Sequence, residues 1–240
     1  MDMLRDFFNP YERQARLYPA LISLFPTFAA LYSFFDDLRG VLSTILGSVF
    51  FVGISYLFGK LTRELGKKKQ DSLIVDWDGM PSTRFLRHVD TTIDPLTKKR
   101  YHQFLEKNIA DFRCPTPEEE SSNKENADKV YDSGIKWLLA KTRDTQKYSL
   151  LFRENISYGF ARNFWALKPW SLLINSIILF GSFGLMYQRH QFDFKNVFPL
   201  EWVSISITTF IIISQSLITK NTVHSKAKAY ARTLLEVCDE

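Results

Sequence analysis

Five basic side chains in the middle of the chain form two short clusters that can bind phosphate. They are Arg84 and Arg87, followed by Lys98, Lys99 and Arg100. An arginine fork matches the oxygens of a phosphate, and a lysine adds a compact positive charge. We therefore predict that these residues contact a signal, either a phosphate-bearing ligand or a cytosolic signalling partner. Attraction to anionic lipid is the simpler explanation of the same charges, at about 1 kcal/mol per basic residue near the surface.

One acidic motif resembles part of an enzyme. Asp76-x-Asp78-Gly79 follows an apolar, β-branched run at residues 72–75. This resembles the loop of haloacid-dehalogenase-like phosphatases in which the first aspartate attacks phosphorus and both help hold magnesium. That fold also needs several βαβ repeats, whereas the residues that follow have helical periodicity. We expect Asp76 and Asp78 to cap a helix or turn, and the sequence leaves a catalytic role for this loop open.

Other enzyme and metal patterns are weak. His88, His102 and Cys114 have metal-binding atoms, but their spacings of 14 and 12 residues match no zinc pattern. The chain has no phosphate-binding glycine loop, no Gly-x-Ser-x-Gly elbow and no His-Glu-x-x-His motif. We expect no enzymatic activity, no metal and no cofactor. Cys114 and Cys238 fall on the predicted cytosolic side, where thiols stay reduced.

Four uncharged stretches have the length of a membrane-spanning helix. They cover residues 17–35, 40–59, 169–188 and 202–219, and a helix needs about 20 residues to cross a bilayer. The sequence predicts a mostly α-helical integral membrane protein with four transmembrane helices in two hairpins. The predicted domains are a cytosolic N-terminal segment (1–16), a first hairpin (17–59), a cytosolic helical module (60–168), a second hairpin (169–219) and a cytosolic C-terminal helix (220–240).

The distribution of lysine and arginine predicts the orientation. With both termini and residues 60–168 on one side, that side holds 28 of the 31 basic residues. Only Arg39, Arg189 and Lys195 lie opposite. Basic residues collect on the cytoplasmic side of membrane proteins, so we expect a multi-pass protein of the bacterial inner membrane with both termini in the cytoplasm. Residues 36–39 are then a tight external turn.

Two spans carry a pattern that predicts helix packing. In the second span, Gly47 and Gly59 lie on a face of small residues that would let the first span approach closely. In the fourth span, Ser204, Thr208 and Gln215 lie on one polar stripe. Such groups either hydrogen-bond to neighbouring helices or line a wet path in an oligomer, in which case Gln215 is the predicted pore-facing residue.

Turn and cap signals divide the cytosolic module into helices. Asp94 with Pro95 predicts a helix start, and the following apolar face ends near residue 111. Thr116, Pro117 and Glu119 predict a second start. Residues 121–125 are expected to be an exposed loop, 142–145 a break, and 147–165 a further helix that Pro169 ends at the membrane.

Two phrases carry a family resemblance. Asp78-Gly-Met-Pro-Ser-Thr-Arg-Phe-Leu-Arg-His and Glu154-Asn-Ile-Ser-Tyr-Gly-Phe-Ala-Arg-Asn resemble a group of uncharacterised small bacterial membrane proteins, over roughly residues 77–165. Two helix pairs around a cytosolic insert are also similar to the four-helix membrane effectors of bacterial anti-phage systems. That resemblance implies an oligomer that damages the inner membrane when a partner or nucleotide messenger activates it. The alternative is a membrane anchor or scaffold that recruits a soluble partner to the bilayer.

Overall fold

The computed structural model describes residues 9–191, 193 and 196–239. It is mostly helical, at 82%, with no strand among these residues. After a π-helical turn (Glu12–Leu17), the helices are α1 (Tyr18–Phe34), α2 (Asp36–Leu42), α3 (Ile45–Asp76), α4 (Pro81–Arg84), α5 (Pro95–Asn108), α6 (Pro117–Ser122), α7 (Lys124–Lys141), α8 (Ser149–His190), α9 (Pro199–Leu217) and α10 (Lys220–Glu236), before a 3₁₀ turn (Val237–Asp239).

Three helical stretches are long and apolar enough to cross a membrane. They are Glu12–Phe34, Ser149–His190 and Pro199–Leu217. The predicted second span is long and apolar enough only when two helical stretches are counted as one. These are Asp36–Leu42 and Gly47–Arg84, which meet at an 84° bend. The structure therefore gives three candidate spans, and a fourth only as a broken one.

The predicted turn at residues 36–39 is wrong, because these residues begin helix α2. Asp36 and Asp37 occupy its first turn, where negative charge stabilises a helix. The helix breaks beyond Leu42, where the Thr44 hydroxyl donates to the Val41 carbonyl (2.6 Å) and accepts from the Gly47 N–H (3.2 Å). A hydroxyl that bonds locally to the backbone competes with the helical ladder, which explains the break inside an apolar run.

Gly47 belongs to this break. A Cβ placed on it would lie 2.6 Å from the Val41 carbonyl oxygen and from the Leu42 Cα, so only glycine fits. The backbone that comes close to Gly47 is thus the preceding turn. The prediction that the first span approaches at Gly47 is wrong. Gly59 does face that span, since its Cβ would lie 3.5 Å from the Arg16 carbonyl oxygen.

The described chain divides into two compact units. The membrane unit comprises Met1–Gln70 and Gly159–Val223, and the helical module comprises Asp71–Tyr158 and His224–Glu240. The module is shorter at both ends than the predicted 60–168, and it includes most of the C-terminal helix that the sequence set apart. The reason is apolar burial, because Leu234 and Leu235 share one core with Leu105, Tyr131 and Leu138.

Most predicted helix starts in the module are confirmed. The Asp94 carboxylate accepts from the Thr97 N–H at 2.9 Å, with Pro95 in the first helical position. Thr116 and Glu119 form a complete capping box. The loop expected at 121–125 is reduced to Asn123, which caps α7.

The predicted helix end at Pro169 is wrong. Helix α8 runs without interruption from Ser149 to His190, with Pro169 inside it. A proline removes one backbone hydrogen bond, and membrane helices tolerate that loss.

Candidate functional site

Arg87 lies at the centre of a charged cluster in the helical module. The residue is 3% exposed. Its guanidinium donates two bonds to the Asp128 carboxylate, from Nε at 2.8 Å and from Nη2 at 2.7 Å, and Nη1 lies 2.9 Å from an Asp78 oxygen. Burial opposes its charge, but the two carboxylates outweigh burial and raise the pKa of Arg87. Four of its five N–H donors are thus occupied within the module.

Asp78 completes this cluster. Its carboxylate accepts from Lys124 Nζ at 2.5 and 2.6 Å. The Lys124 hydrogen bond and the nearby positive charge of Arg87 together lower the pKa of Asp78, although desolvation opposes them. Asp78 has a φ of 58° and Gly79 a φ of 110°, and a Cβ on Gly79 would lie 2.9 Å from Arg87 Nη2. The motif thus forms a left-handed turn against the arginine.

The phosphatase-like context of this motif is not found. Residues 72–75, expected as a strand in that resemblance, belong to helix α3, which ends at Asp76. The expected turn role of Asp78 is confirmed, with the ion pairs as an addition that spacing alone did not reveal.

Lys98 and Arg84 hydrogen-bond to the backbone on the two sides of α4, Lys98 after the helix and Arg84 before it. The Lys98 ammonium, 5% exposed, donates to the carbonyl oxygens of Arg87 (2.5 Å) and Asp90. Burial lowers the pKa of Lys98, against the opposing effects of Asp90 and Glu120. Arg84 Nη1 donates to the Trp77 carbonyl at 2.6 Å. These cations cap backbone carbonyls, which is a structural role.

Lys99 and Arg100 are the exposed members of the predicted phosphate-binding set. Arg100 pairs with Asp239, with Nε 3.0 Å from a carboxylate oxygen. Lys99 lines a cavity of about 430 Å³ together with His88, Lys98 and His102. The structure therefore brings Arg84, Arg87 and Lys98 together around one turn, buries two of the three, and leaves Lys99 as the predicted cation that lies both exposed and at a cavity.

Glu120 is a buried anion that the sequence analysis missed. Its carboxylate, in a residue 4% exposed, accepts from the His88 N–H (2.9 Å), the Val89 N–H (3.2 Å) and the Tyr131 hydroxyl (2.7 Å). Burial opposes its charge, but these three donors outweigh burial and lower the pKa of Glu120. The capping-box pattern predicted a role for Glu119 only, and the sequence around Glu120 carries no signal that it is buried.

His88 and His102, two of the three histidines of the module, each hydrogen-bond to a backbone carbonyl. Their rings lie 5.1 Å apart, His88 Nε2 is 2.9 Å from the Pro115 carbonyl, and His102 Nε2 is 2.8 Å from the Leu86 carbonyl. A carbonyl only accepts, so each Nε2 carries the proton and is unavailable to a metal. Burial raises the pKa of Cys114 to about 12. Within the described residues no group of three or more His, Cys, Asp or Glu is placed to hold a metal.

A second candidate site lies inside the membrane unit, where polar side chains from three helices meet. Gln215 of α9 donates to the Ser23 hydroxyl of α1 at 3.0 Å, and Asn175 of α8 donates to the Ser23 carbonyl at 3.3 Å. Six side chains, each at most 2% exposed, form this polar seam: Ser23, Ser171, Asn175, Ser204, Thr208 and Gln215.

The polar seam is incompletely hydrogen-bonded. Gln215 Oε1, Asn175 Oδ1 and Ser204 Oγ are buried and have no hydrogen-bond partner among the described residues. Thr208 bonds to the Ser204 carbonyl of its own helix at 2.8 Å. A buried acceptor without a donor costs about 1–3 kcal/mol. The predicted stripe of α9 thus faces other helices of the same chain, and three atoms of the seam, two on α9 and one on α8, remain able to accept a bond.

A cluster of charged residues lies at one end of helices α8 and α9 in the membrane unit. Glu201, fully buried at the start of α9, lies 3.3 Å from Arg189 Nη1 and 3.0 Å from His190 Nε2. Arg189 also donates to the Phe34 carbonyl. The sequence placed Arg189 on the side opposite the termini but did not predict this cluster. Lys195, predicted on the same side, lies outside the described residues.

No family model, no curated protein and no solved structure matches this chain. The resemblance to bacterial membrane effectors therefore stays a prediction.

Proposed function

We propose that this protein is a membrane effector of the bacterial anti-phage type, which oligomerises and compromises the inner membrane when its helical module receives a signal. The observation that supports it best is the polar seam, where Gln215, Asn175 and Ser204 each keep an unpaired buried acceptor. Interhelical hydrogen bonds in membranes contribute only about 1 kcal/mol each, so such a seam can rearrange at low cost. Opened between subunits, its amides and hydroxyls are suited to line a wet path.

The proposed orientation is multi-pass in the inner membrane with both termini in the cytoplasm. It rests on the 28-to-3 distribution of basic residues. The module would then be the cytosolic receiver. Its exposed Lys99 and the adjoining cavity are the proposed contact for a phosphate-bearing ligand or a signalling partner. We propose no enzymatic role, since Asp78 is neutralised by Arg87 and Lys124.

The test is membrane permeability. Overproduction or activation of the native protein should cause depolarisation and dye entry in cells, and Gln215→Leu should reduce both while protein level and oligomer size hold, because an apolar path dewets. Ser206→Leu is the matched control, since Ser206 lies on the exposed side of the same helix. Absence of depolarisation and dye entry for the native protein would reject the effector function.

A second candidate function is that of a membrane anchor or scaffold. It is favoured by exposed apolar side chains on the module, where Val89 and Leu96 are each 75% exposed. Isolated exposed apolar residues are common, but a partner that covers both would bury them beside the Lys99 cavity. If this is the function, Val89→Asp with Leu96→Asp should abolish recruitment of a soluble partner to the membrane and leave insertion unchanged.

A further inference from the structure

A cavity of about 520 Å³ in the membrane unit is lined by residues of the π-helical turn and of helix α3. Four cations line it, Arg13, Arg16, Lys60 and Arg63, against two carboxylates, Glu12 and Glu64. One carboxylate is already engaged, because Glu12 pairs with Arg16. The lining therefore keeps an excess of positive charge at the point where the predicted second span ends and the charged part of α3 begins.

The arginines of this cavity have unused donors. Arg13 Nε and Arg16 Nε are both buried, and neither has a hydrogen-bond partner among the described residues. A guanidinium N–H that is withdrawn from water needs an acceptor, so these donors call for an anionic oxygen. Arg16 also lies over the Tyr11 ring at 5.3 Å, and Lys60 over the Tyr56 ring at 5.0 Å, which restrains both cations beside the cavity.

Three leucines make up most of the remaining lining, together with Tyr56 and Gly59. Leu17, Leu57 and Leu61 belong to the same wall, and Leu57 and Leu61 are each about 60% exposed. A ligand that fits such a lining has a charged phosphate and an attached hydrocarbon part. Diffuse attraction to a lipid surface, by contrast, needs neither buried arginine donors nor a cavity beside them.

We propose that this cavity binds the phosphate of an anionic phospholipid headgroup, with Arg13, Arg16 and Arg63 as phosphate contacts and the leucines along the acyl chain. The site is distinct from the Lys99 cavity of the module. It requires only that the protein resides in a membrane and is independent of the proposed effector function.

The test measures phospholipid retention by the purified full-length protein in detergent, by native mass spectrometry. Phosphatidylglycerol should be retained at one molecule per chain and phosphatidylcholine should not. Arg13→Gln with Arg63→Gln removes two phosphate contacts and should weaken retention about 30-fold, at about 1 kcal/mol per basic residue and 1.4 kcal/mol per tenfold. Lys67→Gln with Lys68→Gln is the matched control, because it removes the same charge from exposed positions of α3, the helix that carries Arg63, and should change retention by less than threefold.

The outcomes separate the sources of the phosphate. Binding of glycerol 1-phosphate or inorganic phosphate that is lost in the Arg13 and Arg63 variant would support the site. If no lipid is retained, that binding assigns the site to a soluble phosphate compound. Equal weakening in both double variants would overturn the proposal, because diffuse charge would then explain binding. If the double variant does not fold, Arg63→Glu alone, at an exposed position, should still weaken retention at least tenfold, and unchanged retention there would also overturn it.

Discussion

Replacing Arg87 by alanine tests whether this residue holds the module together or contacts a ligand. The substitution removes two hydrogen bonds to Asp128 and two to Asp78. The Asp78 carboxylate is 64% exposed and keeps Lys124, so its share is at most about 1 kcal/mol. The Asp128 carboxylate is only 26% exposed, and losing its bidentate partner costs about 2–3 kcal/mol. We expect a total loss of about 2–4 kcal/mol.

The assay is amide hydrogen exchange on the full-length protein in detergent, read over helix α7. A loss of about 2–4 kcal/mol corresponds to protection factors that fall roughly 30- to 700-fold, at 1.4 kcal/mol per tenfold. Arg87→Lys keeps the charge but not the fork, so its effect should lie in between. Arg143→Ala, which removes one charge at an exposed position of the module, should change stability by no more than about 0.5 kcal/mol.

An Arg87→Ala protein as protected as the Arg143→Ala control would refute this reasoning. If that protein also failed to respond to the activating signal, Arg87 would return to the ligand-contact role that its sequence position predicts.

Three further predictions concern the module. Since hydrogen bonds hold the pKa of Glu120 below its ordinary value of about 4.3, its contribution to stability is present above that pH and lost as the pH falls through the lower folded pKa; Glu120→Gln should therefore lower the urea midpoint at pH 7 and flatten its fall under acid. Burial raises the pKa of Cys114 and Cys238 to about 12, so neither thiol should react with iodoacetamide at pH 8 until urea unfolds the module, and rapid native labelling would contradict their burial. A cytoplasm-specific reporter should be active after Glu240 and near Ser122, whereas activity of a periplasm-specific reporter at either position would reverse the proposed orientation.

Local signals predicted the elements whose causes lie within a few residues. The Asp94 and Thr116 caps are set by a side chain three positions from the N–H it accepts, so their helices could be located before any tertiary contact was known. The apolar runs of α1 and α9 were located for a similar reason, because their length alone suits a bilayer. The break beyond Leu42 escaped prediction, because a hydroxyl bond to the backbone competes with the helix inside an otherwise apolar run.

The sequence by itself determined that this chain is helical, that it has membrane-length apolar segments, and which basic residues are available for phosphate. Only the tertiary structure decided how these residues are used. Arg87 meets Asp128 across 41 positions, and Gln215 meets Ser23 across 192. Spacing along the chain does not encode such partners, because they depend on which helix faces pack together. Packing therefore buries Arg87 and Lys98, whose side chains bond within the module, and leaves Lys99 exposed beside a cavity.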